Sequence, residues 1–136
     1  MKRIPYILIL MLLMSCATAP RTPIPSDRPL YGFTKQGVFF IHKGLVEQAG
    51  GYKPLLITEA NNYKKVSMRE KSDYYYAIID LLRHREICYC FSIGSNNYIP
   101  HQLKRIGSPH FNEGDVKDNK QGGYNFCTSA LDSTPF

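Results

Sequence analysis

Apolar positions in this chain fall into one long run and several short ones. Residues 4 to 14 read Ile-Pro-Tyr-Ile-Leu-Ile-Leu-Met-Leu-Leu-Met behind Lys2 and Arg3. A membrane-crossing helix needs about 20 apolar residues, so this run is too short to span. A buried core helix would not open on two charges and then meet a proline-rich tract. That tract, residues 17 to 30, carries Pro20, Pro23, Pro25 and Pro29. Such proline density removes backbone donors and favours extended polyproline conformations. At about 3.1 Å per residue it would reach roughly 40 Å, which suits a tether.

Beyond Tyr31 the runs are short and punctuated. Gly37-Val38-Phe39-Phe40-Ile41-His42 is β-branched and aromatic behind a glycine, which predicts a strand. Residues 45 to 51 are ambiguous and end in the Gly50-Gly51 turn signal. Leu55-Leu56-Ile57-Thr58 predicts a second strand. Ser67-Met68-Arg69-Glu70 fits a capping box, and Tyr74, Tyr75, Ile78, Leu81 and Leu82 then recur at helical spacing. Arg83-His84-Arg85 supplies positive charge for a helix end. These features predict a helix over about 68 to 84. Ile87 to Ile93 alternates, with Ile87, Tyr89, Phe91 and Ile93 on one face and Cys88, Cys90 and Ser92 on the other. Later residues are polar and rich in glycine, and only Tyr124-Asn125-Phe126-Cys127 reads as a further strand.

The expected fold is therefore α+β: a small single domain over 31–130 with a short, mainly antiparallel sheet and one main helix at about 68–84. Residues 131–136 would form a C-terminal tail.

Composition adds a mild positive balance. The net charge is +6 over 136 residues, and it falls to +4 without Lys2 and Arg3. The charges are dispersed, which describes a solvated surface. Lipid headgroups, lipopolysaccharide or cell-wall carboxylates are anionic surfaces it could meet, whereas export argues against nucleic acid.

Lys2 and Arg3, the apolar run and the small Ser15 together make a secretory signal peptide. Leu13-Met14-Ser15-Cys16 resembles the lipobox of bacterial lipoproteins, in which the cysteine is lipidated and becomes the new N-terminus. A competing cut at Ala17-Thr18-Ala19 would leave Pro20 just after it, where proline obstructs processing. The resemblance covers residues 1–16 only. It implies a cleaved signal peptide over 1–15, lipidation of Cys16 with acyl chains such as palmitate, and a tether over 16–30. Two or three acyl chains supply the stable anchoring that one cannot. Since Ala17 is not aspartate, the sorting rule of such lipoproteins implies an outer-membrane location facing the periplasm.

Export permits disulfides. With Cys16 lipidated, Cys88, Cys90 and Cys127 remain. Cys88 and Cys90, two apart on one strand, lie about 6.5 to 7 Å apart and pair poorly with each other. Either could bridge to Cys127, closing a loop of nearly 40 residues worth about 3 to 4 kcal/mol in the chain-entropy model. A zinc site from Cys88, Cys90, His101 and His110 fits no standard ligand spacing. The acidic stretch 112–119 departs from the EF-hand order and reads as a solvated turn. No G-x-S-x-G, S-x-x-K or H-E-x-x-H motif occurs. Neither a catalytic residue, a metal nor a cofactor is expected. The expected role is a lipid-anchored accessory or binding protein held at the membrane, its partner another envelope protein or the cell wall. The rivals are a small envelope enzyme with a Cys/His site and a phage or mobile-element lipoprotein masking a surface receptor.

Overall fold

The computed structural model describes residues 21–82, 85–120 and 123–136. The expected signal peptide, Cys16 and residues 17–20 of the expected tether lie outside the described residues, as do residues 83 and 84 of the expected helix.

Two antiparallel sheets share one core. The four-stranded sheet has the order β1 (Tyr31–Phe33), β2 (Val38–His42), β6 (Tyr74–Ile78), β5 (Arg69–Lys71). The six-stranded sheet has the order β4 (Val66–Ser67), β3 (Leu55–Thr58), β7 (Ile87–Gly94), β10 (Tyr124–Thr128), β9 (Val116–Asp118). β8 (Asn97–Ile99) folds back on the second half of β7. Among the described residues, two short helices, α1 (Lys43–Gln48) and α2 (His101–Arg105), and two 3₁₀ turns at Glu59–Asn61 and Glu113–Asp115 join the strands. The predicted strands at 38–42, 55–58, 87–93 and 124–127 are all present, and the ambiguous 45–51 segment contains most of α1.

The long helix expected at 68–84 is not there. Arg69–Lys71 and Tyr74–Ile78 form a hairpin turned at Ser72, whose φ is +54°. The domain is mostly β rather than α+β. Three consecutive tyrosines are strand formers, and Ser72-Asp73 is turn chemistry. Five residues of β6 pair with β2, His42 opposite Tyr74 through Val38 opposite Ile78. Both faces of that pair are covered, so the period-two signal is blurred and the apolar positions fell by coincidence at helical intervals.

Inward, Phe33 and Phe39 meet Tyr89 of the other sheet edge-on, with ring centroids 5.9 and 5.5 Å apart. Tyr89 also contacts Phe91 and Phe126 on its own sheet. Leu45 and Val46 of α1 and Leu103 of α2 join this core. Outward, Phe40 and Tyr74 are equally buried. Phe136 covers them, with its ring 6.0 Å from Phe40 and 5.1 Å from Tyr74, so the segment expected as a tail is part of the packing.

The proline-bearing segment also lies on the domain from Thr22 onward. The Thr22 amide and hydroxyl donate to the two oxygens of Glu47, both at 2.8 Å. The Tyr74 hydroxyl donates to the Pro29 carbonyl at 2.8 Å. Gly44 is required where this strap crosses α1, because an added Cβ would sit 2.5 Å from the Thr22 carbonyl oxygen. His42 starts α1 by accepting the Gly44 amide on Nδ1 at 3.0 Å, and burial holds its imidazole below the usual range. Burial alone would raise the Glu47 carboxyl, but the Thr22 donors and the Arg21 backbone outweigh it and hold it below the ordinary value.

Two predictions follow from this packing. Phe39→Ala, at a fully buried site, should cost about 3 to 5 kcal/mol in urea unfolding, while Leu82→Ala, 98% exposed, should stay within about 0.5 kcal/mol. Strap docking requires ionised Glu47, and a depressed carboxyl contributes its stabilisation above its unfolded value and loses it as the pH falls through its folded one. The Thr22 amide resonance should therefore move on acidification. Glu47→Ala should remove that titration and speed tryptic cleavage after Arg21 at neutral pH by on the order of tenfold; an unchanged cleavage rate would mean the strap is held by other contacts.

Candidate functional site

The cleft that stands out among the described residues has a volume of about 530 Å³, within the range of small-ligand pockets. The strap forms one wall with Pro25, Arg28 and Pro29, and the 109–115 loop forms another with Pro109, His110 and Phe111. β1 and residues 128–131 close the remainder.

Tyr31 organises the floor. Its ring stacks on Phe126 with centroids 4.0 Å apart. Its hydroxyl donates to Asp115 Oδ2 at 2.9 Å and accepts the Asn112 amide at 3.2 Å. Burial first, and then Asp115, pushes the phenol well above its usual range, so it stays a neutral donor. Asn112 caps the 3₁₀ turn by accepting the Gly114 amide, which fixes the Asp115 backbone beside the tyrosine. The stretch 112–119, expected as a solvated turn, thus carries one carboxylate with a structural partner. Arg28 bonds the adjacent Asp27 through Nε at 3.3 Å on the exposed rim.

The sequence did not single out this cleft. Tyr31 and Asp115 are 84 residues apart, and no spacing rule joins a tyrosine beyond a proline tract to a carboxylate in a polar loop.

The cysteines lie elsewhere, on the outer face of the six-stranded sheet. Cys127 stands directly opposite Cys88 in the β10–β7 register, and the two form a disulfide. The alternative Cys90–Cys127 bridge is excluded by that register, since Cys90 faces Ile57 on the other neighbouring strand. Cys90 is a free, buried thiol, and burial pushes its pKa up to about 11. A reactive cysteine needs the opposite environment, electropositive and partly exposed. His101 Nε2 accepts the Tyr124 amide at 2.9 Å, while His110 lines the cleft. Among the described residues, no group of three or more His, Cys, Asp or Glu side chains is placed to hold a metal ion. No described helix is long and apolar enough to cross a membrane.

No family model, no curated protein and no solved structure matches this chain.

Removing the bridge by Cys88→Ser with Cys127→Ser should cost about 3 to 4 kcal/mol in urea unfolding. Because the Cys90 thiol titrates near pH 11, iodoacetamide at pH 8 should leave the native protein unlabelled and modify one thiol per domain, besides any at Cys16, once it unfolds. Rapid native labelling of Cys90 would contradict its burial.

Proposed function

We propose that this is a lipid-anchored bacterial envelope protein whose small β domain binds a partner in the envelope, either another envelope protein or the cell wall. The observation that carries the reading is Leu13-Met14-Ser15-Cys16 behind a charged tip and an apolar run. Acylated Cys16 holds the chain in the outer membrane on its periplasmic side. The binding role rests on the cleft at Tyr31, which combines aromatic surface, a carboxylate and the Arg28 guanidinium. The competing enzyme reading loses support from the cysteines, one pair being bridged and the third neutral and hidden.

The strap changes the geometry of anchoring. Only residues 17 to 20 separate Cys16 from the docked segment that starts at Arg21. Five peptide units span at most about 18 Å, so the domain sits close to the leaflet and the cleft wall is built from the anchored end of the chain.

Intact mass of protein extracted from bacterial membranes tests the anchor. The wild type should match residues 16–136 plus acyl chains, and Cys16→Ala should lose that mass and leave the membrane fraction. An unlipidated chain with both variants soluble would replace this reading with a secreted factor.

A further inference from the structure

We propose that the open edge of β1 at Tyr31 is a docking site for an extended peptide, which adds to the four-stranded sheet as a strand lying in the cleft. The proposal deepens the binding role above and rests on it.

The backbone ladder identifies the site. The His42 amide donates to the Leu30 carbonyl at 2.7 Å, and the Thr34 amide donates to Val38 at 3.0 Å. In an antiparallel pair these bonds alternate, so Leu30, Gly32 and Thr34 turn their backbone groups toward β2. Tyr31, Phe33 and Lys35 turn theirs away. On that outer side the chain begins a parallel ladder of its own. The Leu131 amide donates to the Phe33 carbonyl at 2.8 Å, and the Lys35 amide donates to the Leu131 carbonyl at 3.0 Å. One step further, Ser129 would meet Tyr31 and Phe33, but the ladder stops and the cleft opens there. Among the described residues, the Tyr31 N–H and C=O and the Phe33 N–H have no partner.

The surroundings select a peptide as occupant. Pro25, Pro29 and Pro109 in the walls have no backbone N–H to donate to the open Tyr31 carbonyl. A row of alternating donor and acceptor along a strand edge is matched by another extended backbone, the mode used in strand addition. Two other edge strands carry charge that blunts such pairing, β5 being Arg-Glu-Lys and fully exposed and β9 ending in Lys-Asp, and the β4 edge is only two residues long. β1, by contrast, is Tyr-Gly-Phe and carries no charge. Phe111 and Leu131 offer apolar contact to the peptide's side chains, and Arg28 and His110 offer polar contact.

The test selects a phage-displayed decapeptide pool on the full-length lipidated protein in detergent micelles, and then follows amide exchange with a retained peptide. In the free protein the Tyr31 and Phe33 amides should exchange at least tenfold faster than those of Gly32 and Thr34. Bound peptide should slow both by tenfold or more. N-methylating alternate peptide residues should abolish binding, as should Ser129→Trp, which fills the cleft from an exposed position. The proposal is overturned if no peptide is retained, if a cell-wall glycan binds the cleft in its place, or if a bound peptide leaves Tyr31 and Phe33 unprotected. Protection of Tyr31 in a chain that proves unlipidated would sink the anchor and keep the peptide site. A lipidated mass with no retained peptide would do the reverse.

Discussion

The packing of Tyr89 between the two sheets is the contact on which the rest of this fold depends. Its ring touches Phe33 and Phe39 across the interface and Phe91 and Phe126 within its own sheet, and its hydroxyl pairs with that of Thr128 at 3.1 Å. Each aromatic contact contributes about 0.5 to 1.5 kcal/mol beyond simple burial. Their geometry fixes more than stability. With Tyr89 inward, strand alternation puts Cys88 and Cys90 on the opposite face, where Cys88 meets Cys127 directly. The disulfide is therefore a consequence of aromatic register, and it ties the long polar stretch after β8 back to the central strand.

Covering both faces of the β2–β6 pair is the second organising feature. A single small domain has little spare chain for a third layer, and here the two terminal segments serve as one. The strap, clamped by Glu47 and by Tyr74, lies along one part of the outer face, while Phe136 closes another. The same strap then walls the cleft. Core completion and the candidate binding site thus share one stretch of ten residues, 21 to 30. Loss of the Glu47 clamp would act on both.

Legibility in the sequence was uneven for physical reasons. β7 was readable because large apolar side chains on one face alternate with cysteine and serine on the other, which leaves a clean alternation in the sequence. β6 was misread because Tyr74-Tyr75-Tyr76 has useful contacts on both sides, and Ser67 with Glu70 mimicked a capping box that no helix uses. Cys88, Cys90 and Cys127 were recognisable as a disulfide set, yet the choice between two bridges required the β7–β10 register. The cleft left no trace, since Tyr31, Asn112 and Asp115 meet only after both sheets have formed.

What the sequence by itself determined was local: the proline tract that cannot be helix or ladder, and four of the strands, each written in consecutive residues. Tertiary structure alone decided that 69–78 is a hairpin, that the proline tract docks on the domain from Thr22 onward, and that Cys88 takes the bridge. Each of those outcomes turns on partners tens of residues away, and backbone hydrogen bonds and buried faces are satisfied by whatever the fold brings near, not by what stands next in the chain.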